Sequence, residues 1–450
     1  MNIIILGAGK VGISLTENFV KEGYDVVLID SNEKIIEDAV NKYDVNGVVG
    51  NGLERSLLLE AGIESADYFI SCTSLDQTNI LCCVLAKKLG AKKTVARVRD
   101  PIYFNEMNNI KKDLGIDLAF NPEYRTATDI AQILRFPSAE SVESFAGGKA
   151  VLIELNIEEG NAIIGKSLKD VSNENSYNVL FGMVKRGKEF LIPRGDFIVE
   201  ENDVVYVIAE EKSIINFCKK IKVFKRKSKN VFIVGGGKIA YYLAKALISE
   251  GVNVKILEQD LNRSEELSEE LPKATILCGD GTDQAILIEE GMANFDACVT
   301  LTGIDEENVI VSLFAKQKKI DKVVTKIDKQ SVADMVKVLG LETIVSPSNS
   351  ISNHILRFIR AHSAESGGGV NTLYKLHDKA EALEFTVEDD FSGKLIPLKE
   401  LKLKRQVLIG GIVRDDKYLL PTGESFLIPK DKVIVITLAK QVSNLQDILR

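Results

Sequence analysis

Two glycine-rich turns hold the residue types and spacing best suited to chemistry. Gly7-Ala8-Gly9-Lys10-Val11-Gly12 follows an apolar run and opens a stretch of helical periodicity, and Gly235-Gly236-Gly237-Lys238-Ile239-Ala240 does the same farther along. In such a turn the first glycine permits a tight bend and the second lets an anion approach the backbone, while the amides opening the helix supply positive potential. An acidic residue ends the next β-rich segment in each case, Asp30 after the first turn and Glu258 after the second. A carboxylate there accepts hydrogen bonds from both ribose hydroxyls and repels a 2′-phosphate, which favours NAD(H) or an adenosine phosphate such as ATP or ADP over NADP(H). A glycine loop can also serve helix–sheet packing alone. That alternative weighs more on the second turn, where Ala240 replaces the third glycine and Glu258 is one methylene longer.

Further candidates fall where the next strands should end. Thr73-Ser74-x-Asp76 and Thr302-Gly303-x-Asp305 can line a ligand with hydroxyls and amides, or Asp76 can simply cap the following helix. Arg97 and Lys326 end a later strand and can meet phosphates as cations, or pair with surface carboxylates. Lys10 and Lys238 are helix-start residues able to neutralise a phosphate. Asn51 and Asp280, in Gly-Asn-Gly and Gly-Asp-Gly, suit a turn.

The elements that must position these residues occur twice. Gly7 recurs as Gly235, Asp67 as Asp296, and Thr73-x-x-Asp76-x-x-Asn79 as Thr302-x-x-Asp305-x-x-Asn308, at an offset of about 228 residues. A second block repeats at the same offset: Gly165-Lys166 as Gly393-Lys394, the run from Phe181 to Arg186 as that from Ile409 to Arg414, and Pro193-x-Gly195 as Pro421-x-Gly423. The order is therefore A-B-A-B. Module A alternates strands (2–6, 24–29, 45–49, 68–72, 93–98) with helices (10–21, 32–41, 75–89, 103–114, 123–134), which predicts a Rossmann-like, doubly wound parallel sheet. Module B, at about 150–210 and 382–439, reads as short strands with Gly and Pro turns and one short helical stretch, a small α+β unit. The expected units are 1–135, 140–222, 230–362 and 370–450. A lysine-rich run at 219–229 reads as a solvated connector, and 363–370 as a flexible linker.

Composition narrows the function class. The 450 residues carry 57 Lys and Arg against 65 Asp and Glu, a net charge of -8, so nucleic acid is not an expected partner. Apolar runs stop well short of the roughly 20 residues that span a bilayer, and the amino terminus lacks the pattern of a secretion signal; a cytoplasmic location is expected. Six cysteines without CxxC spacing read as small core residues, and the three histidines form no metal-binding pattern, so neither a metal site nor catalytic residues are expected. A nicotinamide dehydrogenase needs a second domain that buries its substrate and supplies an acid or base. Module B is too small for that, so the layout suits a ligand-responsive regulator that is not an enzyme.

The tandem order, GAGKVG at Gly7 to Gly12, the acids Asp30 and Glu258, Thr73-x-x-Asp76-x-x-Asn79, Ala96-Arg97-Val98 and Gly165-Lys166 together resemble the TrkA family, peripheral subunits of Trk potassium uptake systems with two RCK (KTN) units. The resemblance spans essentially the whole chain. It implies a cytoplasmic ring at the inner face of the membrane, docked under a potassium-translocating subunit, binding NAD(H) and adenine nucleotides, and gating transport through ring conformation. Homotetramers or dimers of dimers are the expected assemblies. Carried across, Gly7 to Gly12, Asp30, Thr73, Ser74 and Arg97 would form a first nucleotide site, and Gly235 to Ala240, Glu258, Thr302 and Lys326 a second. The departures Asn51, Ala240 and Lys326 make the two sites unequal. Alternatives are a regulator of potassium efflux or proton antiport, and an NAD-dependent dehydrogenase.

Overall fold

The computed structural model describes residues 1–175, 177–223, 227–341, 343–363, 369–377, 380–438 and 442–450. The amino-terminal lobe runs β1 (Asn2–Leu6), α1 (Lys10–Lys21), β2 (Asp25–Asp30), α2 (Glu33–Lys42), β3 (Asn46–Val49), α3 (Arg55–Glu60), β4 (Tyr68–Ser71), α4 (Asp76–Leu89), β5 (Lys93–Arg97), α5 (Pro101–Ile110), β6 (Leu118–Phe120) and α6 (Pro122–Arg135). Its strands pair in parallel in the order β3-β2-β1-β4-β5-β6. The central strands are continuous apolar runs because helices cover both faces of the sheet, and β4 is buried at all four positions. The strand order reverses between β1 and β4, which opens a crevice at the carboxyl edge beside Gly7 and Thr73. Two elements, α3 and β6, carry no signal in the sequence pattern. At six and three residues, neither is long enough to display a period.

The first antiparallel module follows, with β7 (Ser141–Phe145), β8 (Ala150–Asn156), α7 (Leu168–Asn175), β9 (Leu180–Arg186), β10 (Glu189–Leu191), β11 (Val204–Ala209) and α8 (Glu211–Lys220), in the sheet order β10-β9-β11-β8-β7. The second lobe repeats the first as β12 (Asn230–Val234), α9 (Lys238–Ser249), β13 (Asn253–Glu258), α10 (Leu261–Glu270), β14 (Thr275–Cys278), α11 (Gln284–Glu289), β15 (Ala297–Thr300), α12 (Asp305–Gln317), β16 (Lys322–Lys326), α13 (Gln330–Val338), β17 (Ile344–Val345) and α14 (Pro347–Ser363). Its order, β14-β13-β12-β15-β16-β17, is that of the first lobe. The chain closes with β18 (Val370–His377), β19 (Ala380–Thr386), β20 (Val407–Arg414), β21 (Lys417–Leu419) and β22 (Lys432–Thr437), ordered β18-β19-β22-β20-β21. Strand for strand this is the first module again, so the A-B-A-B reading and the α/β class hold. The helical stretch expected in both small modules is present as α7 in the first, whereas the matching segment of the second is built of turns.

The four units share cores. Helix α6 packs on α9, where Ala127, Ile130 and Leu134 join Ile233, Leu243 and Leu247 of the second lobe. Helix α14 packs on α1, where Ile351, Ile355 and Ile359 join Ile3, Leu15 and Phe19 of the first. Each lobe thus lends its last helix to the other. Every large apolar side chain buried in these contacts stabilises the pairing by about 1.5–3 kcal/mol. The two small sheets also face each other, with Leu152, Met183 and Ile208 against Ala382, Ile434 and Ile436. A Cβ on Gly182 would lie 2.0 Å from Ile436 of the opposite sheet, so glycine inside β9 marks this close approach.

The lysine-rich run is not a single connector. Lys219 and Lys220 form the last turn of α8 and Lys227 pairs with Glu250 at 2.7 Å, while Lys225 and Arg226 lie outside the described residues, as does most of the 363–370 linker. Five cysteines are buried as expected, but Cys278 is exposed, because β14 is an edge strand of its sheet.

Candidate functional site

Both glycine turns stand between the first strand and first helix of their lobe, at the carboxyl edge of the sheet. Gly7 and Gly235 adopt φ of +102° and +97°, a region that favours glycine, and a Cβ on Gly7 would lie 2.9 Å from the Cys72 carbonyl carbon and the Thr73 amide. A Cβ on Gly12 would lie 1.8 Å from the Gly7 carbonyl oxygen, so the third glycine lets α1 press on the turn; the second turn accommodates Ala240, which is fully buried. At Gly9 and Gly237, which precede α1 and α9, a Cβ would meet nothing within 4 Å. The middle glycine of each turn therefore faces open space, as close approach of a phosphate requires.

The two acids end β2 and β13 and hold these turns in shape. Asp30 accepts hydrogen bonds from the Ala8 amide at 2.7 Å and the Asn32 amide at 2.9 Å. Glu258 accepts from the Gly236 amide at 2.5 Å and the Asp260 amide at 2.9 Å. A carboxylate oxygen has two lone-pair sites, so each acid retains acceptor capacity for a ribose diol. The chemistry of this donor and acceptor set fits an adenosine nucleotide. In the second lobe, Gly235, Gly237, Glu258, Asp280 and Thr302 line a cavity of about 260 Å³.

The residues after β4 and β15 are more internally committed than their types suggested. The Thr73 amide and hydroxyl both donate to Asn79 Oδ1 at 2.8 Å, and Asn79 Nδ2 donates to the carbonyls of Thr73 and Arg97 at 3.1 Å. In the second lobe Asn308 accepts from the Thr302 amide at 2.8 Å and donates to the carbonyls of Thr302 at 3.2 Å and Lys326 at 3.1 Å. These two fully buried asparagines tie the ends of adjacent strands together. Their recurrence in the repeat was the signal, but without the fold it had no role attached. Asp76 caps nothing: the residue before α4 is Leu75, and the Asp76 carboxylate accepts the Arg99 and Asp100 amides at 2.8 and 2.7 Å. Ser74 is exposed at the rim of the turn.

The cations divide. Arg97 is partly buried, with its guanidinium 3.4 Å from the Cys72 carbonyl and 3.9 Å from Glu123, and burial lowers its pKa. Among the described residues its buried Nε has no hydrogen-bond partner, and its ion-pair partner Glu123 is itself buried. Lys326 lies under the second crevice, 3.1 Å from the Thr302 carbonyl and 3.4 Å from Asp328. Lys10 crosses between lobes to Asp328 at 2.8 Å, and Lys238 is exposed. Asn51 and Asp280 make local turns, accepting the Leu53 amide at 3.1 Å and the Thr282 amide at 2.8 Å. Cys72 donates weakly to the Gly7 carbonyl at 3.3 Å, and burial pushes its thiol up to about 12, so it is a packing residue.

Models of the TrkA-N domain match residues 3–122 and 231–347, and a TrkA-C domain matches 152–222. The chain belongs to the TrkA family. It is 30% identical over 450 residues to a Trk system potassium uptake protein TrkA homolog of Archaeoglobus fulgidus, and 29% identical over 461 residues to TrkA homolog 2 of Methanosarcina mazei, covering 100% of both chains in each case. Among solved structures, the GsuK RCK domain superposes with a TM-score of 0.63 at 16% identity, over 97% of this chain and 92% of that one. The GsuK channel bound to NAD gives 0.63 at 17%, over 97% and 76%. These two establish likeness of fold. The TrkA-C match covers the first small module, and the second has the same strand order and the same internal fork. Arg186 grips the buried Asp203 through Nε and Nη2 at 2.7 Å each, and Arg414 grips Asp431 through the same two atoms at 2.8 Å.

Proposed function

We propose that this TrkA-family chain is a cytoplasmic regulatory subunit of a potassium transport system, with one adenine nucleotide, NAD(H) or ADP/ATP, held at each glycine turn. The observation that carries the reading is the pairing, twice over, of an open middle glycine with a strand-end carboxylate already hydrogen-bonded to the turn. In the first site, Gly7 to Gly12 would cradle the phosphates and Asp30 would take the ribose, with Thr73, Ser74 and Arg97 along the crevice. In the second, Gly235 to Ala240, Glu258, Thr302 and Lys326 would do the same, in a crevice whose cation is a lysine.

The mechanism is linkage. A nucleotide that prefers one relative orientation of the lobes shifts the balance of orientations by its difference in affinity, about 1–3 kcal/mol per site. The division into 1–135, 140–222, 230–362 and 370–450 is the proposed set of moving parts. Among the described residues no helix is long and apolar enough to cross a membrane. The reading therefore assigns potassium translocation to a separate membrane subunit, with this chain at the inner face as the sensor and not the enzyme. The test is to reconstitute the purified chain with the potassium-translocating subunit of a Trk system, identify retained nucleotide by mass spectrometry, and measure potassium flux in vesicles. Retained nucleotide and flux that depends on the chain are the expected results; neither one appearing would end the reading.

A further inference from the structure

Asp328, two residues beyond β16, holds a lysine from each glycine-turn site. Its carboxylate lies 2.8 Å from Nζ of Lys10, which follows the middle glycine of the first turn, and 3.4 Å from Nζ of Lys326, which borders the second crevice through the Thr302 carbonyl. The backbone placing it is fixed, because Asp305 accepts the amides of Asp328 at 3.0 Å and Lys329 at 2.9 Å. Among the described residues the arrangement occurs once. By the repeat, Asp76 holds the Arg99 amide as Asp305 holds that of Asp328, so Arg99 stands where Asp328 stands and Lys238 where Lys10 does. The reciprocal crossing would set two cations against each other, and Arg99 instead bonds Glu123 at 2.7 Å.

We propose that Asp328 is a shared counter-ion through which the two nucleotide sites antagonise one another, an inference that rests on the nucleotide reading above. A phosphate at the first turn competes with Asp328 for Lys10. Deprived of Lys10, the carboxylate has only Lys326 to neutralise it, and it draws that lysine away from a phosphate in the second crevice. Linkage makes the effect reciprocal: occupation of the second site releases Asp328 to hold Lys10 against the first. The Lys10 side chain is 75% exposed, so its pairing is screened and the coupling belongs at the weak end of the usual range, about five-fold in affinity. Screening also requires the coupling to shrink as salt rises.

The test is calorimetric titration of the full-length protein with ADP at low ionic strength, alongside Asp30→Ala and Glu258→Ala, each of which weakens one site roughly ten-fold or more and so disables it at ADP concentrations that fill the other. In the wild type, the second ADP should bind about five-fold more weakly than it does to the chain whose other site is disabled. In Asp328→Asn that gap should close, and in Lys10→Gln, a change at an exposed side chain that spares the fold, it should close as well. Wild-type sites that fill independently, or a gap that persists in both variants, would overturn the coupling and leave the nucleotide reading standing. A folded wild type that takes up no ADP at either site would overturn both.

Discussion

The Asp30 carboxylate accepts the Ala8 amide at 2.7 Å, so the residue expected to hold a ribose also holds the turn expected to hold the phosphates. Removing it costs twice, through the lost ribose contact and through a loosened loop. Asp30→Ala is therefore expected to weaken binding of an adenosine ligand by roughly ten-fold or more, the worth of a charge-assisted hydrogen bond or two. Thermal-shift or calorimetric titration against the wild type checks this, and an unchanged affinity would remove Asp30 from the site.

Two glycines of the first turn, Gly12 and Gly9, should separate stability from binding. Gly12→Ala sets a methyl 1.8 Å from the Gly7 carbonyl oxygen, with a stability loss of about 3 kcal/mol expected from overpacking. Gly9→Ala meets nothing within 4 Å, so the protein should unfold at nearly the wild-type urea concentration while nucleotide affinity falls. If both variants unfold early, the open space at Gly9 serves packing and not a ligand.

Each small sheet is tied by a fork from a partly exposed arginine to a buried carboxylate, Arg186 to Asp203 and Arg414 to Asp431. Asp203 is fully buried and also accepts the Glu200 amide at 2.9 Å, so Asp203→Ala leaves that amide without its acceptor, while the Arg186 guanidinium keeps the Glu200 carboxylate and the Ile198 carbonyl. A loss of about 1–3 kcal/mol is expected there, and the same in Asp431→Ala. Equilibrium denaturation of the two variants should give matching losses; a loss in one copy only would mean that the repeat is structural in that copy alone.

Glu143 lines a cavity between α6, α14 and the small sheets that also holds Asp129, Glu154, Arg125 and Arg357. Burial, and after it the Asp129 charge, pushes the Glu143 carboxyl up to about 8 from 4.5, with Arg357 and Arg125 opposing. The folded chain keeps a proton that the unfolded chain has released, so Glu143 removes stability as pH rises from about 4.5 to about 8, with no further loss above. Glu143→Gln should match the wild type near pH 4 and exceed it by about 1–3 kcal/mol at pH 8, once solvent access to the cavity is allowed for. Melting curves across that range decide the matter, and parallel curves would show that Glu143 ionises freely.

By itself the sequence determined the local elements, the doubling and the address of the site. Alternation of apolar and polar residues and a glycine turn at a strand end are properties of neighbouring residues, and Gly7, Asp30 and Thr73 could be placed at the same sheet edge from them. Short elements such as α3 and β6 escaped because a period needs length to be seen. What only the tertiary structure decided lies between parts far apart in the chain. Helices α6 and α14 have apolar faces that would cover either lobe equally well by pattern, and packing against α9 and α1 made the choice. Thr73, Arg97 and Asp76 carried donors and charges that suited a ligand, a cap or a surface pair. The fold gave Thr73 to Asn79, set Arg97 beside Glu123, and turned Asp76 to the loop after β5, because polar groups enclosed at that edge must find partners there. The contact of Lys10 with Asp328 follows from the lobes meeting, and no spacing along the chain encodes it.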